Sequence, residues 1–158
     1  RGEATGMPVR KDFQELPIGK GRRLRPGHDL AILTYGAIGK YATKVCDRLE
    51  TAGISAAHYD LRFCKPLDGE LLTEVFEQFD RVITLEDGVV QGGAGSAVLE
   101  WMADHSYSAQ VLRLGLPDEF VEHGTQRQLH DLIGIGPDGI YQHALDFMQQ
   151  DDPVAVIL

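Results

Sequence analysis

Only two cysteines occur in the 158 residues, Cys46 and Cys64, and they form no CxxC. That excludes a disulfide scaffold and a cysteine-based zinc site, and it points to a reducing, intracellular compartment. Positive charge is scarce as well: 15 lysines and arginines face 24 acids, a formal net charge of −9, which argues against nucleic-acid or anionic-membrane binding. No apolar run approaches the ~20 residues that a membrane span requires. No charged-then-apolar leader opens the chain. It begins at Arg1 rather than at methionine, so a processed chain or a piece of a longer one is expected.

Signatures of common chemistries are missing too. His28, His58, His105, His123, His130 and His143 stand without HxH, HExxH or a neighbouring cysteine pair, so no metal site is expected. There is no GxSxG and no Ser/His/Asp grouping. The glycine-rich stretch Gly92-Gly93-Ala94-Gly95 is followed by no Lys-Ser or Lys-Thr and does not fit GxGxxG, which leaves a P-loop or dinucleotide site without support.

What is present is an alternation of strand-like and helix-like segments in a length suited to one compact domain. Leu30 to Tyr35 is a continuous apolar run ended by Gly36, the pattern of a strand buried on both faces. Ala37 to Ala52 carries apolar residues at helical spacing and stops at Gly53. Ser55 to Arg62 reads as a second strand, Lys65-Pro66 breaks it, and Asp68 caps a helix bearing Leu71, Leu72, Val75, Phe76 and Phe79. A third unit runs from the strand Val82 to Leu85 through an acidic, glycine-rich turn to a helix that Ser96 is placed to cap. Gln110 to Leu114 is a fourth strand. Thr125 and Gln128 have capping-box spacing for a short helix containing Leu129, Leu132 and Ile133, and Gly136-Pro137 starts the last helix. Leu24 lies in a short strand-like piece, beside the run Lys20, Arg22, Arg23 and Arg25, which reads as a solvated ribbon rather than a phosphate clamp. The pattern predicts a three-layer α/β/α domain with a mostly parallel sheet of about five strands.

Ligands of open parallel sheets sit outside the carboxyl ends of the strands, which puts Glu86, Asp87, Gly92, Gly93 and Gly95 first among the crevice or interface candidates. The glycines permit either close packing against another subunit or domain, or an anion at the N-terminus of the following helix. Glu86 and Asp87 are adjacent on a strand, so their side chains diverge and do not share one ligand. Arg62 ends the second strand at the same edge, where it would hold an anion or, on the plainer reading, pair with Glu86. His123 lies in the loop after the fourth strand, a structural hydrogen-bonding position or a weak site candidate.

Five blocks carry a resemblance: ELPIGKGR at 15–22, LAILTYG at 30–36, DLRFCKPLD at 60–68, ITLEDGVVQGGAGSAV at 83–98 and LGLPDEFVEHGTQ at 114–126. Together they closely resemble the C-terminal domain of the 1-deoxy-D-xylulose-5-phosphate synthase family, thiamine-diphosphate transferases of the transketolase superfamily. RFCKPLD and the glycine turn are shared more loosely with transketolases and with beta subunits of 2-oxoacid dehydrogenases. The resemblance implies a cytoplasmic homodimeric parent that condenses pyruvate with glyceraldehyde 3-phosphate, releasing carbon dioxide, on the non-mevalonate route to isoprenoids and thiamine. It implies thiamine diphosphate and magnesium in that parent and none in this fragment, since the family's GDG motif has no counterpart here. It divides the chain into an arm from the preceding pyrimidine-binding domain at 1–20, a transketolase C-terminal-like domain at 21–150 and an apolar tail at 151–158. Arg1-Gly2 resembles the end of the family's RYPRG, whose arginine contacts the substrate phosphate. Arg1 would take that role only in the intact enzyme, with His123 in a supporting part and no catalytic residue in this piece. The role implied is non-catalytic: support of the dimer and of active-site closure, with the missing N-terminal and pyrimidine-binding domains as partners. Two other readings stay open: a stand-alone nucleotide- or anion-binding module, or a 2-oxoacid dehydrogenase beta-subunit domain.

Overall fold

Residues 15–150 are described in the computed structural model. The proposed tail at 151–158 and most of the arm, Arg1 included, lie outside the described residues. Five strands form one sheet: β1 (Arg22–Arg25), β2 (Leu30–Tyr35), β3 (Ala56–Asp60), β4 (Arg81–Val89) and β5 (Gln110–Leu116), in the order β1-β3-β2-β4-β5. β1 runs antiparallel to β3 at one edge, and all other pairings are parallel. Between the strands come α1 (Gly39–Thr51), α2 (Gly69–Gln78) and α3 (Ala94–Asp104), followed after β5 by α4 (Gln126–Leu132) and α5 (Pro137–Gln149).

The uninterrupted apolar run of β2 suits its central place. Leu30 and Ile32 enter a core with Val45 and Leu49 of α1 and Ile140, Ala144 and Phe147 of α5. Ala31 and Leu33 point the other way, into a second core with Leu72 and Val75 of α2 and Val98 of α3. The period-two alternation of a strand thus divides one run between two apolar layers, and the result is the three-layer α/β/α arrangement.

Local signals hold at several termini. Asp68 Oδ1 accepts from Leu71 N–H at 3.3 Å, Thr125 and Gln128 form the capping box of α4, and Gly53 lies in the left-handed region at φ 82°. Other bounds move. β3 ends at Asp60, so Arg62 is outside the strand and has φ 56°. β4 continues through the acidic residues to Val89, where it pairs with Leu116 across an irregularity in the register. The basic run is bound to acids: Lys20 to Asp68 and Glu70, Arg22 to Asp60, Arg23 to Glu74, and Arg25 to Asp47 and Glu50. Exposed pairs of this kind add little stability singly. Along a short edge strand they also discourage pairing with another chain.

One polar pair lies inside the α1 face of the sheet. His58 is 1% exposed; its Nε2 lies 3.0 Å from Thr34 Oγ1, and the Thr34 hydroxyl donates to the Tyr59 carbonyl at 3.1 Å. Burial lowers the His58 pKa from 6.5 to about 4. The unfolded chain therefore binds this proton more readily, so the stability linked to neutral His58 is complete above pH 6.5 and is lost as pH falls toward 4. At about 1.4 kcal/mol per pKa unit, the loss amounts to about 3 kcal/mol. Urea melts between pH 4 and 7 should show this slope, and His58→Gln should flatten it; an unchanged slope in the variant would contradict the assignment.

Candidate functional site

The carboxyl edge of the sheet collects the candidate residues, and the bond pattern there is decided by Glu86. Its side chain turns inward, with the residue 6% exposed. Oε2 accepts from Ala94 N–H at 2.8 Å and Oε1 from Gly95 N–H at 2.9 Å. The first turn of a helix presents unpaired N–H groups and positive partial charge. Here the chain's own carboxylate takes them.

That arrangement explains the glycines. A Cβ on Gly93 would collide with Glu86 Oε2 and the Val89 carbonyl, and one on Gly95 would collide with Thr84 Oγ1. Gly92 has open space around it but sits at φ 73°, a conformation that side chains rarely adopt. Two glycines thus make room for the chain's own groups and one makes the turn. Ser96 is not the cap expected from the sequence: Gly93 holds that position, and α3 begins at Ala94. The Ser96 hydroxyl instead accepts from Gly92 N–H at 3.0 Å and donates to the Val90 carbonyl at 2.9 Å. Arg113 Nη1 donates to Ser96 Oγ at 2.8 Å and to the Val90 carbonyl at 3.2 Å, closing the turn from β5. An anion at this helix N-terminus would have to displace a buried carboxylate, which removes the basis of the nucleotide- or anion-module reading.

Asp87 faces away from Glu86. Its Oδ1 lies 3.0 Å from His130 Nε2, and its Oδ2 accepts from Gln126 Nε2 at 2.9 Å. His130, 5% exposed, is the site residue that sequence reasoning missed. The available signal was the i, i+4 spacing of Gln126 and His130, which sets both on one face of α4. The apolar stripe assigned to α4 is correspondingly rotated: Leu132 is 72% exposed. Asp87, Gln126 and His130 border a cleft of about 620 Å³ whose apolar walls include Leu116, Val121, Leu129 and Ile133.

The remaining candidates stay apart. Arg62 makes no ion pair with Glu86; its backbone N–H bonds to Asp60 Oδ1 at 3.1 Å. His123 is exposed in the β5–α4 loop. Burial pushes the Cys46 thiol up to about 11, far from the thiolate that a nucleophile needs. Among the described residues no group of three His, Cys, Asp or Glu side chains could hold a metal ion, and no helix is long and apolar enough to cross a membrane.

Replacing Glu86 by Ala strips two buried N–H groups of their acceptor and should destabilise the chain by about 2–3 kcal/mol. Urea unfolding measures this. A change under about 0.5 kcal/mol, the usual span for surface substitutions, would mean that the carboxylate is not holding the turn.

Comparison with known proteins agrees with the fold and narrows it. Residues 19–140 match the family described as transketolase, C-terminal domain. The chain is 49% identical over 143 residues to the 1-deoxy-D-xylulose-5-phosphate synthase of Bacteroides fragilis, covering 90% of this chain and 22% of that protein. It is 47% identical over 148 residues to the synthase of Phocaeicola vulgatus, covering 93% and 23%. It therefore spans less than a quarter of the length of these curated relatives, corresponding to their C-terminal part. Among solved structures, a split-gene transketolase described as an inactive β4 tetramer superposes with a TM-score of 0.80 at 29% identity, over 88% of this chain and 45% of that one. A transketolase from Pichia stipitis shares the fold at a TM-score of 0.57 and 18% identity, over 82% and 18%. A match over most of its length, carried by a sheet in which β1 alone runs antiparallel, places the chain in the transketolase C-terminal domain family.

Proposed function

We propose that this chain is the C-terminal, non-catalytic domain of a 1-deoxy-D-xylulose-5-phosphate synthase, and that it supports the dimer and the closure of an active site built by the preceding domains. The parent would be a cytoplasmic homodimer that condenses pyruvate with glyceraldehyde 3-phosphate. Cytoplasmic placement is in keeping with the two free cysteines, Cys46 and Cys64.

One observation carries the supporting role: among the described residues, five of the seven large exposed apolar side chains, all but Leu24 and Leu132, lie toward the end of the sheet where the described chain begins. Tyr35 ends β2, Val89 ends β4 and Phe120 follows β5; they are 37%, 41% and 108% exposed. At the same end Lys20 bonds to Asp68, and Arg22 pairs with Asp60, the last residue of β3. Leu16 and Ile18, just before them, are exposed as well. The preceding polypeptide would reach the body on this side. Fully covering a large apolar side chain contributes about 1.5–3 kcal/mol, so a few such contacts suffice to dock a domain. The edge's strongest polar group, Glu86, is already engaged within the chain.

The synthase would use thiamine diphosphate and magnesium, the coenzyme making the pyruvate carbon nucleophilic when bound. Residues 15–150 do not fit that group: the α3 N-terminus, where a diphosphate would find donors, is filled by Glu86, and no metal-ligand cluster is present among the described residues. Its binding residues belong to the missing domains. Arg1 and His123 keep their proposed places near the substrate phosphate and the active-site entrance of the intact enzyme. The family likeness to a chain described as an inactive β4 tetramer supports assembly without activity.

Removing everything from Gly19 onward in the full-length parent should weaken dimerisation in sedimentation and lower turnover of pyruvate. An unchanged dimer with unchanged turnover would reject the supporting role. Calorimetry of this chain alone with nucleotides and phosphosugars should give no tight binding.

A further inference from the structure

Among the described residues, the Asp87 carboxylate lines a walled cleft at the carboxyl edge and pairs with no lysine or arginine. Asp60, Asp68, Asp47 and Glu74 each hold an arginine or lysine. Asp87 holds only an imidazole and a carboxamide, and no lysine or arginine reaches it among the described residues. Its side chain remains 33% exposed. Beside it His130 is nearly buried, and the Nδ1 of that ring has no hydrogen-bond partner. A buried polar atom of this kind normally has a partner.

Around the Asp87 carboxylate the cleft is mixed: Leu116 at the end of β5, Val121 in the following loop, and Leu129 and Ile133 along and just past α4 supply apolar wall, and Thr125 and Gln126 line the rest. A simple anion would meet the wrong charge there, and a purely apolar molecule would leave Asp87 desolvated without a counter-charge. A group with a hydrocarbon stem and a cationic, donor-bearing head satisfies both halves, the stem against the walls and the head on the carboxylate.

We propose that the cleft between the β5–α4 loop and α4 binds an organic cation with a short hydrocarbon stem, a guanidinium or alkylammonium group, anchored by Asp87. The site is complete within this chain and does not depend on the parent's reaction. Two sources share the chemistry: a free small molecule, or a lysine or arginine side chain of the polypeptide that precedes this domain in the parent.

The test is an amide NMR titration of the 158-residue chain with n-butylguanidinium chloride, with sodium butane-1-sulfonate as the control. The expected result is a saturable shift of the Asp87, Leu116, Leu129 and His130 amides at millimolar probe, absent with the sulfonate. Asp87→Asn should weaken the probe at least tenfold. Because Asp87 also tethers α4, Val121→Arg serves as the second variant: it leaves Asp87, Gln126 and His130 unaltered, sets a guanidinium at the mouth of the cleft, and should also lose the probe. Repeating the titration on the full-length parent separates the sources, since binding retained there indicates a free ligand and binding lost there indicates a basic side chain already seated. No saturable shift in the wild-type chain, equal shifts with the sulfonate, or undiminished binding in Val121→Arg would overturn the proposal.

Discussion

The bond from the Glu86 carboxylate to the Ala94 and Gly95 amides is the constraint around which the carboxyl edge is built. It puts a negative charge where the helix dipole favours one, and it requires bare backbone at Gly93 and Gly95 so that Glu86 and Thr84 have room. The bend that brings the two amides to Glu86 is then fixed by Gly92, Ser96 and Arg113. A turn that resembles a ligand loop in composition is thereby rigid and filled. The same constraint sends Asp87 to the opposite side, where it tethers α4 through Gln126 and His130.

From this follows a division of labour. The acidic turn satisfies its polar groups within the chain, while Tyr35, Val89 and Phe120 stay exposed at the same edge. Membership of the transketolase C-terminal domain family gives this body its context, and the chain covers 22% of the length of its Bacteroides fragilis relative. The Asp87 cleft is the exception on the same edge, because among the described residues no lysine or arginine pairs with its acid.

Much of the architecture was legible in the residues. Leu30–Tyr35 could be read as a doubly buried strand from its continuous apolar run, and every residue but the last is buried; the caps at Asp68, Thr125 and Gly136-Pro137 depend on neighbours a few positions away. What escaped depended on distant partners. β4 runs past its apolar residues into Glu86, Asp87 and Gly88 because Val89 pairs with Leu116. Ser96 lost the cap to Gly93 because Glu86, eight residues before Ala94, reaches the helix start first. The assumed Arg62–Glu86 pair failed for the same reason: Glu86 was already bonded inward. His130 was hidden because its partner lies 43 residues away, and no local periodicity distinguishes a helix face that meets a carboxylate from one that meets solvent.

Hydrogen exchange at the Ala94 and Gly95 amides tests this account most directly. If Glu86 holds the turn closed, both should be protected to the level of the β2 and β4 core amides, with no change on adding nucleotide or phosphosugar. Exchange at the rate of an open loop, or protection that appears only with an added anion, would show that the turn is a ligand site after all.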